Sequence, residues 1–226
     1  MSESFDRVAL LIPAYNAGDT IGELLVRSTR FVDAKNIVVV DDGSTDDTGP
    51  RARKVGVNVV RLDRNQGKGA ALAEGFEILR NDPRFDCVAT LDADLQHRPE
   101  DLASFVKEMR QTDADIVIGF RGRMGTKMPI HRRLSNAITS SLVSARTGQE
   151  ILDSQCGFRL ISKRVLSQVS IRSPGFEAET EFLLKSARRG FIIRFIPIET
   201  IYDGEKSHMT NWRTTLNFVR VLLRAY

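Results

Sequence analysis

Short, largely apolar runs, each closed by a polar loop and followed by a helical pattern, constrain this chain more than any other feature. Val8 to Ile12, Ile37 to Val40, Val57 to Leu62, Cys87 to Leu91 and Ile116 to Gly119 are the runs. A strand that is apolar on both sides of its pleat must be buried on both faces, a condition met by parallel sheets covered with helices. Between the runs, Ile21, Leu24, Leu25 and Ser28 share one helical face, and Ala70, Ala71, Ala73 and Phe76 mark a second helix. A third is predicted from about Glu100 to Gln111. This alternation predicts βαβ units with right-handed crossovers, and hence an α/β fold with a mostly parallel central sheet and helices on both faces. At 226 residues the chain fits one such domain with peripheral additions. Residues 1–210 are read as that domain and 211–226 as a C-terminal basic amphipathic helix.

The pattern changes after Gly119. Arg121, Arg123 and Lys127 lie in a Gly-containing basic loop, and a helix from about Arg132 to Arg146 carries Leu134, Ile138, Leu142 and Ala145 at helical spacing. Phe158 to Ile161 and Ile192 to Ile201 read as strands around a helix near Glu179 to Arg189. In the final helix Arg213, Asn217, Arg220 and Arg224 follow one stripe, beside Trp212, Leu216, Val219 and Leu223. Such a helix lies in a membrane interface or docks on its own sheet.

A hydrophobic share of 42% and a charged share of 27% describe a soluble globular protein. The net charge of +4 suits a phosphate-rich ligand or an anionic membrane surface. No aromatic-basic module points to nucleic acid. Cys87 and Cys156 stand alone, so neither a disulfide framework nor a zinc set is expected, and a reducing cytosol is the default. The N-terminus lacks a secretory pattern and no run reaches spanning length, which predicts a cytoplasmic protein, compatible with peripheral contact at the cytoplasmic face of a membrane.

In doubly wound sheets ligands bind beyond the carboxyl ends of the strands. Pro13 to Asn16, Asp41 to Ser44, Asn65 to Gly69 and Asp92 to Gln96 all fall at such ends, so four polar loops are expected on one crevice. In an extended segment Asp92 and Asp94 point the same way and Gln96 continues the row. Such an all-oxygen set suits Mg²⁺ or Mn²⁺ completed by substrate phosphates, although two acids at a strand end can also merely open a loop. Asp42 can accept from a nucleobase edge or form an Asx turn through Gly43. Lys68, in Gly67-Lys68-Gly69, reads as part of a phosphate cradle or as a solvated cation, since the P-loop spacing is absent. The basic loop with Arg121, Arg132 and Arg133 suits phosphate oxygens. Asp153 could orient an acceptor, act as general base, or cap a turn. Glu177, Glu179 and Glu181 read as first-turn acids of a helix. Tyr202 to His208 is a lid or a plain linker.

Taken together, Ile12-Pro13-Ala14-Tyr15-Asn16, Val40-Asp41-Asp42-Gly43-Ser44-Thr45-Asp46, Asn65-Gln66-Gly67-Lys68-Gly69, Leu91-Asp92-Ala93-Asp94-Leu95-Gln96 and Cys156-Gly157-Phe158-Arg159 resemble, in order and spacing, the family 2 glycosyltransferases. Within them the pattern is most similar to the dolichyl- or polyprenyl-phosphate sugar synthases. The resemblance implies a GT-A fold, a nucleotide-sugar donor such as GDP-mannose or a UDP-hexose, Mg²⁺ or Mn²⁺, and inverting transfer to a lipid phosphate. By position, Pro13, Tyr15 and Asp42 would hold the nucleoside, with Asn16, Val40, Lys68 and Ala93 in the same nucleotide-sugar set. Asp92 would hold the donor, and Asp94 with Gln96 the metal. Arg121, Arg133 and Ser135 fall at the lipid phosphate, and Arg194 and His208 at the donor phosphates. Ala17 stands where the family usually has Glu, and Cys156 where Ser is frequent. The alternatives are transfer to a saccharide hydroxyl, for which Asp153 is the candidate base, a sugar nucleotidyltransferase, or a non-catalytic nucleotide-sugar binding protein.

Overall fold

The computed structural model describes residues 5–121, 130–201 and 212–224, with backbone alone at 130–133 and 212–216. Strand and helix alternate as expected through β1 (Val8–Ala14), α1 (Gly18–Ser28), β2 (Ile37–Asp41), α2 (Thr48–Lys54), β3 (Asn58–Arg61), α3 (Lys68–Arg80), β4 (Cys87–Thr90), α4 (Leu102–Thr112) and β5 (Ile116–Arg121). They are followed by α5 (Ile130–Thr147), β6 (Arg159–Ser162), α6 (Lys163–Gln168), α7 (Ala178–Arg188), β7 (Ile193–Ile198) and α8 (Trp212–Leu223).

These strands form a single sheet in the order β3-β2-β1-β4-β6-β5-β7. β6 runs antiparallel to both its neighbours, and the other pairings are parallel. The parallel strands therefore end along one side of the sheet, and β6 begins there. This side is the rim that the loops build on.

β1 and β2 are buried along their whole length, as continuous apolar runs require. α1 covers them with the face the spacing predicts, burying Ile21, Leu24, Leu25 and Ser28. Each large aliphatic side chain buried this way contributes about 1.5–3 kcal/mol. β1 runs through Pro13 instead of stopping at it. Leu11 accepts from the Leu91 N–H on the β4 side, so by alternation Pro13 faces the same side, beyond Thr90, where β4 has ended. No ladder donor is lost there. β3 is a short edge strand with Asn58 and Arg61 exposed, and it occupies less of the 57–62 run than expected.

α5 departs most from the sequence pattern. Its apolar row of Leu134, Ile138 and Leu142 faces solvent, while Asn136, Ser140 and Val143 are buried. The inner face is polar because it serves the following loop: the Ser154 N–H donates to Ser140 Oγ at 3.0 Å and the Ile151 N–H to Ser144 Oγ at 2.9 Å. α7, by contrast, is buried from Ala178 to Ala187. α8 packs against α7 and α5 and buries Val221.

Candidate active site

Hydrogen bonds tie the rim loops to one another. Asn16, in the left-handed region at φ 48°, donates its N–H to Ser44 Oγ at 2.9 Å, and its Oδ1 accepts from the Thr45 N–H at 2.8 Å. The Gly18 N–H at the start of α1 donates to Asp46 Oδ2 at 2.9 Å. Both Asp42 oxygens accept backbone N–H groups, from Gln66 and Gly67, each at 2.8 Å. Thr20 Oγ1 donates to the Ala93 carbonyl at 2.6 Å. Four segments far apart in sequence are thereby held as one surface. Asp42 is buried, and instead of the Asx turn through Gly43 that was its alternative it holds the loop after β3. Val40 and Pro13 are buried backbone supports beneath this surface, whereas Tyr15 is exposed above it.

At the centre, Lys68 Nζ lies 2.6 Å from Asp92 Oδ1 and 3.1 Å from Glu179 Oε1. The Lys68 side chain is 14% exposed and that of Asp92 24%. Burial alone would lower the Lys68 pKa, but the charges of Asp92 and Glu179 outweigh it and raise the value above its ordinary level. For Asp92, burial works upward and the Lys68 ammonium overcomes it, so the carboxylate stays ionised below its usual range. Lys68 is thus not the solvated cation that was one of its two expectations: in this structure its ammonium pairs with two carboxylates.

Backbone closeness makes this arrangement possible. Gly157 sits against the Asp92 carboxylate, and a Cβ there would overlap both oxygens. Gly67, at φ +100°, lies under the Pro174 carbonyl, which also accepts from the Ala70 N–H at 3.2 Å. Arg159, buried at the start of β6, donates to the carbonyls of Cys156 (2.8 Å), Ser154 (3.0 Å) and Glu179 (3.1 Å). It fastens the Gly157 loop to the first turn of α7. Glu181 fixes the other side of that turn by accepting the N–H groups of Arg172 and Ser173. Sequence reading took Glu179 and Glu181 for helix-start acids. The signal that could have found Glu179 is Lys68 itself, a cation in a Gly-flanked buried loop that needs counter-charge.

After Asp92 the chain does not stay extended. Leu95 is left-handed at φ 59°, and the Gln96 N–H turns back to Asp94 Oδ1 at 3.0 Å. The expected row of Asp92, Asp94 and Gln96 is corrected to a pair of acids followed by a tight turn, because period-two alternation fails where the backbone leaves the β region. The donor set at this turn, a carboxylate and an amide, consists of hard oxygens and fits Mg²⁺ or Mn²⁺. Among the described residues no group of three or more His, Cys, Asp or Glu could hold a metal. A cation here would therefore be completed by water and a substrate's phosphates, the usual mode for Mg²⁺.

Two strands further along the sheet, Arg121 ends β5. Its Nε and Nη2 donate to Asp153 Oδ2 and Oδ1 at 2.7 and 2.9 Å. Asp153 is wholly buried and also accepts from the Gln155 N–H. An enclosed carboxylate with an arginine across both oxygens is poorly placed to take a proton from an acceptor, and the role visible in this structure is to fix Arg121 at the rim. Arg194 is a second correction. It pairs in register with Val117 near the start of β5 and is exposed on the edge strand, at the end of the sheet away from the acids. Ser135 is exposed on the outer face of α5. The Arg133 side chain and His208 lie outside the described residues.

His97 and Cys156 close the floor. His97 is buried against Phe158, with Nε2 3.8 Å from Cys156 Sγ. Burial lowers the imidazole pKa to about 4 and pushes the Cys156 thiol up to about 12, so both are neutral near pH 7.

The sequence pattern described as Glycosyl transferase family 2 matches residues 9–170. The undecaprenyl-phosphate mannosyltransferase of Micrococcus luteus is 30% identical over 203 residues, covering 85% of this chain and 82% of that protein. The dolichol-phosphate mannosyltransferase of Pyrococcus furiosus is 31% identical over 190 residues, covering 79% of this chain and about half, 53%, of that longer protein. Among solved structures, glucosyl-3-phosphoglycerate synthase of Mycobacterium tuberculosis, crystallised with Mn²⁺, UDP-glucose and phosphoglyceric acid, superposes with a TM-score of 0.78 over 98% of this chain and 80% of that one. At 21% identity that likeness establishes the GT-A fold. The matched span contains the loops that carry Asp42, Lys68, Asp92, Asp94 and Arg159, and with them on one rim the chain belongs to the family 2 glycosyltransferases.

Proposed function

We propose that this enzyme is a metal-dependent, inverting transferase that moves a sugar from a nucleotide-sugar to a polyprenyl or dolichyl phosphate. The observation that carries the reading is the placement of a carboxylate-bearing turn and a carboxylate-buttressed arginine on one rim. The Asp92 and Asp94 turn follows β4, Arg121 ends β5, and β6 alone separates the two strands. An anionic donor held through a cation suits the first, and an anionic acceptor suits the second.

In this reading Pro13, Tyr15 and the Asp42 loop receive the nucleoside, and Asp92, held ionised by Lys68, accepts from hydroxyls of the donor sugar. Asp94 and Gln96 would hold Mg²⁺ or Mn²⁺, which supplies charge neutralisation for a leaving diphosphate. Arg121, with Arg133 and Ser135, positions the acceptor phosphate. A phosphate oxygen bonds to the anomeric carbon as the bond from that carbon to the diphosphate oxygen breaks, and the electron pair leaves on the nucleoside diphosphate. The attacking oxygen is already anionic, so no base is needed. A saccharide hydroxyl would need one, and the buried Asp153 is a poor source. The similarity to two polyprenyl-phosphate mannosyltransferases supports the same acceptor class.

The test is incubation with GDP-mannose, UDP-glucose and UDP-GlcNAc, polyprenyl phosphate in detergent and Mn²⁺. Sugar in the lipid fraction from at least one donor is expected. Transfer to soluble saccharides alone, or release of pyrophosphate, would remove the lipid reading.

A further inference from the structure

Residues 153–158, the irregular chain that leads into β6, are buried at every position but Gln155. Loops ordinarily run over the surface, because a buried irregular backbone has no ladder to satisfy its polar groups. Here four elements supply the partners. Ser140 on α5 accepts the Ser154 N–H at 3.0 Å, and Arg159 on β6 donates to the carbonyls of Ser154 and Cys156. The Gly119 N–H of β5 donates to the Phe158 carbonyl at 3.0 Å. Thr90, buried at the end of β4, donates its hydroxyl to the Gly157 carbonyl at 2.7 Å. The Phe158 ring stacks on Phe105, with centroids 4.1 Å apart. The segment is thus gripped along its length.

Its two ends meet the two charged groups of the rim. At one end the Asp153 carboxylate holds the Arg121 guanidinium across both oxygens. Toward the other, Gly157 lies so close to the Asp92 carboxylate that a Cβ there would overlap it, and Lys68 Nζ stands 2.6 Å from Asp92 Oδ1. Asp92 is therefore seated between Gly157 and Lys68. In the sheet β6 separates β4 from β5, so the chain entering β6 is what lies between Asp92 and Arg121.

We infer that segment 153–158 is a strut that fixes the separation of Asp92 and Arg121, and that Thr90 is a positioning residue for sugar transfer, acting through Gly157. The inference rests on the polyprenyl-phosphate reading and deepens it. With the donor sugar at Asp92 and the acceptor phosphate at Arg121, the strut sets how near the attacking oxygen comes to the anomeric carbon. Reacting atoms must be held about 3–3.5 Å apart and in line before the bond forms.

Thr90→Val tests it, since valine has nearly the shape of threonine and puts a methyl where the hydroxyl donates. A methyl carbon keeps about 3.3 Å from a carbonyl oxygen, against 2.7 Å for the hydroxyl, so Gly157 is displaced by roughly half an ångström and the seat of Asp92 moves with it. A misplacement of about 1 Å can cost a hundredfold in rate, so kcat with polyprenyl phosphate in detergent is expected to fall about tenfold. Affinity for the free nucleoside diphosphate should hold, because the loops of Asn16 and Asp42 are untouched, and Tm should fall by no more than a few degrees. Thr90→Ser, which keeps the hydroxyl, should recover most of the rate. If Thr90→Val does not fold, Thr90→Ala, which removes the donor without adding a methyl, is judged by the same comparison with Thr90→Ser. An unaltered kcat in the hydroxyl-free variant, measured well below its Tm, would overturn the inference, because a bond that only stabilises the fold acts on Tm alone. So would an equal loss of rate in Thr90→Ser, or a loss of nucleotide affinity that parallels the loss of kcat. Transfer to lipid by the parent, with the hydroxyl-free variant unimpaired, removes the strut and leaves the function standing. If the parent transfers to soluble saccharides alone, the lipid reading falls and the same three-way comparison on that reaction decides the strut. A parent that transfers to no acceptor removes both.

Discussion

Lys68→Met is expected to lower kcat/KM for sugar transfer about a thousandfold, chiefly through kcat, because it removes the cation between Asp92 and Glu179. The two carboxylates would then face each other in a largely buried site. Either one takes up a proton or they move apart, and each outcome displaces Asp92, which in the proposed reaction meets the donor sugar. Removing one partner of such a group also destabilises the fold, by about 3 kcal/mol, equivalent to a fall of roughly 10 °C in Tm for a domain of this size. Two further measurements separate positioning from simple loss of stability. Affinity for the free nucleoside diphosphate should hold, since the structure commits Lys68 to the carboxylates. Lys68→Arg, which keeps the charge, should recover a large part of kcat. Transfer by Lys68→Met within tenfold of the parent would show that Asp92 does not depend on this cation.

Asp153 gives the second large effect and decides between two roles for one residue. If it buttresses Arg121, Asp153→Ala leaves a nearly enclosed guanidinium without its carboxylate, at a cost of about 3–5 kcal/mol. The kinetic loss should then appear mainly as a raised KM for the lipid acceptor, with the pH profile unmoved. A general base would behave otherwise: kcat would fall by about a hundredfold or more, Tm would change little, and the acidic limb of the pH profile would disappear. Thermal unfolding and acceptor kinetics on this single variant distinguish the two.

The frame of the molecule was legible where burial on both faces leaves a plain mark. β1 is apolar throughout and β2 up to Asp41, both were read at nearly their true bounds, and α1 buries the residues its spacing picks out. The reversed direction of β6 was not legible, because a strand of four residues carries no sign of which way it pairs. Nor was the outward face of α5: periodicity shows which side of a helix is apolar, and only the packed structure shows what that side meets. Here the inner side had to be polar to receive the Ile151 and Ser154 N–H groups.

The site divides in the same way. The gathering of the loops followed from strand ends, and Asp92 and Asp94 stand where that rule puts them. What each charged group is paired with depends on contacts more than thirty residues apart. Lys68 with Glu179 and Arg121 with Asp153 are of that kind. Arg194 failed for a simpler reason, since its position along β7 fixes which end of the sheet it occupies.

Calorimetric titration of the preferred nucleotide-sugar into the parent and Asp94→Ala, with Mn²⁺ and again with EDTA, tests the rim as a metal-assisted donor site most directly. The parent should bind about a hundredfold more weakly in EDTA, a coupling of roughly 2.7 kcal/mol. Asp94→Ala should already bind that weakly with Mn²⁺ present, and EDTA should change nothing further. Equal affinity in the parent with and without the cation would contradict the account.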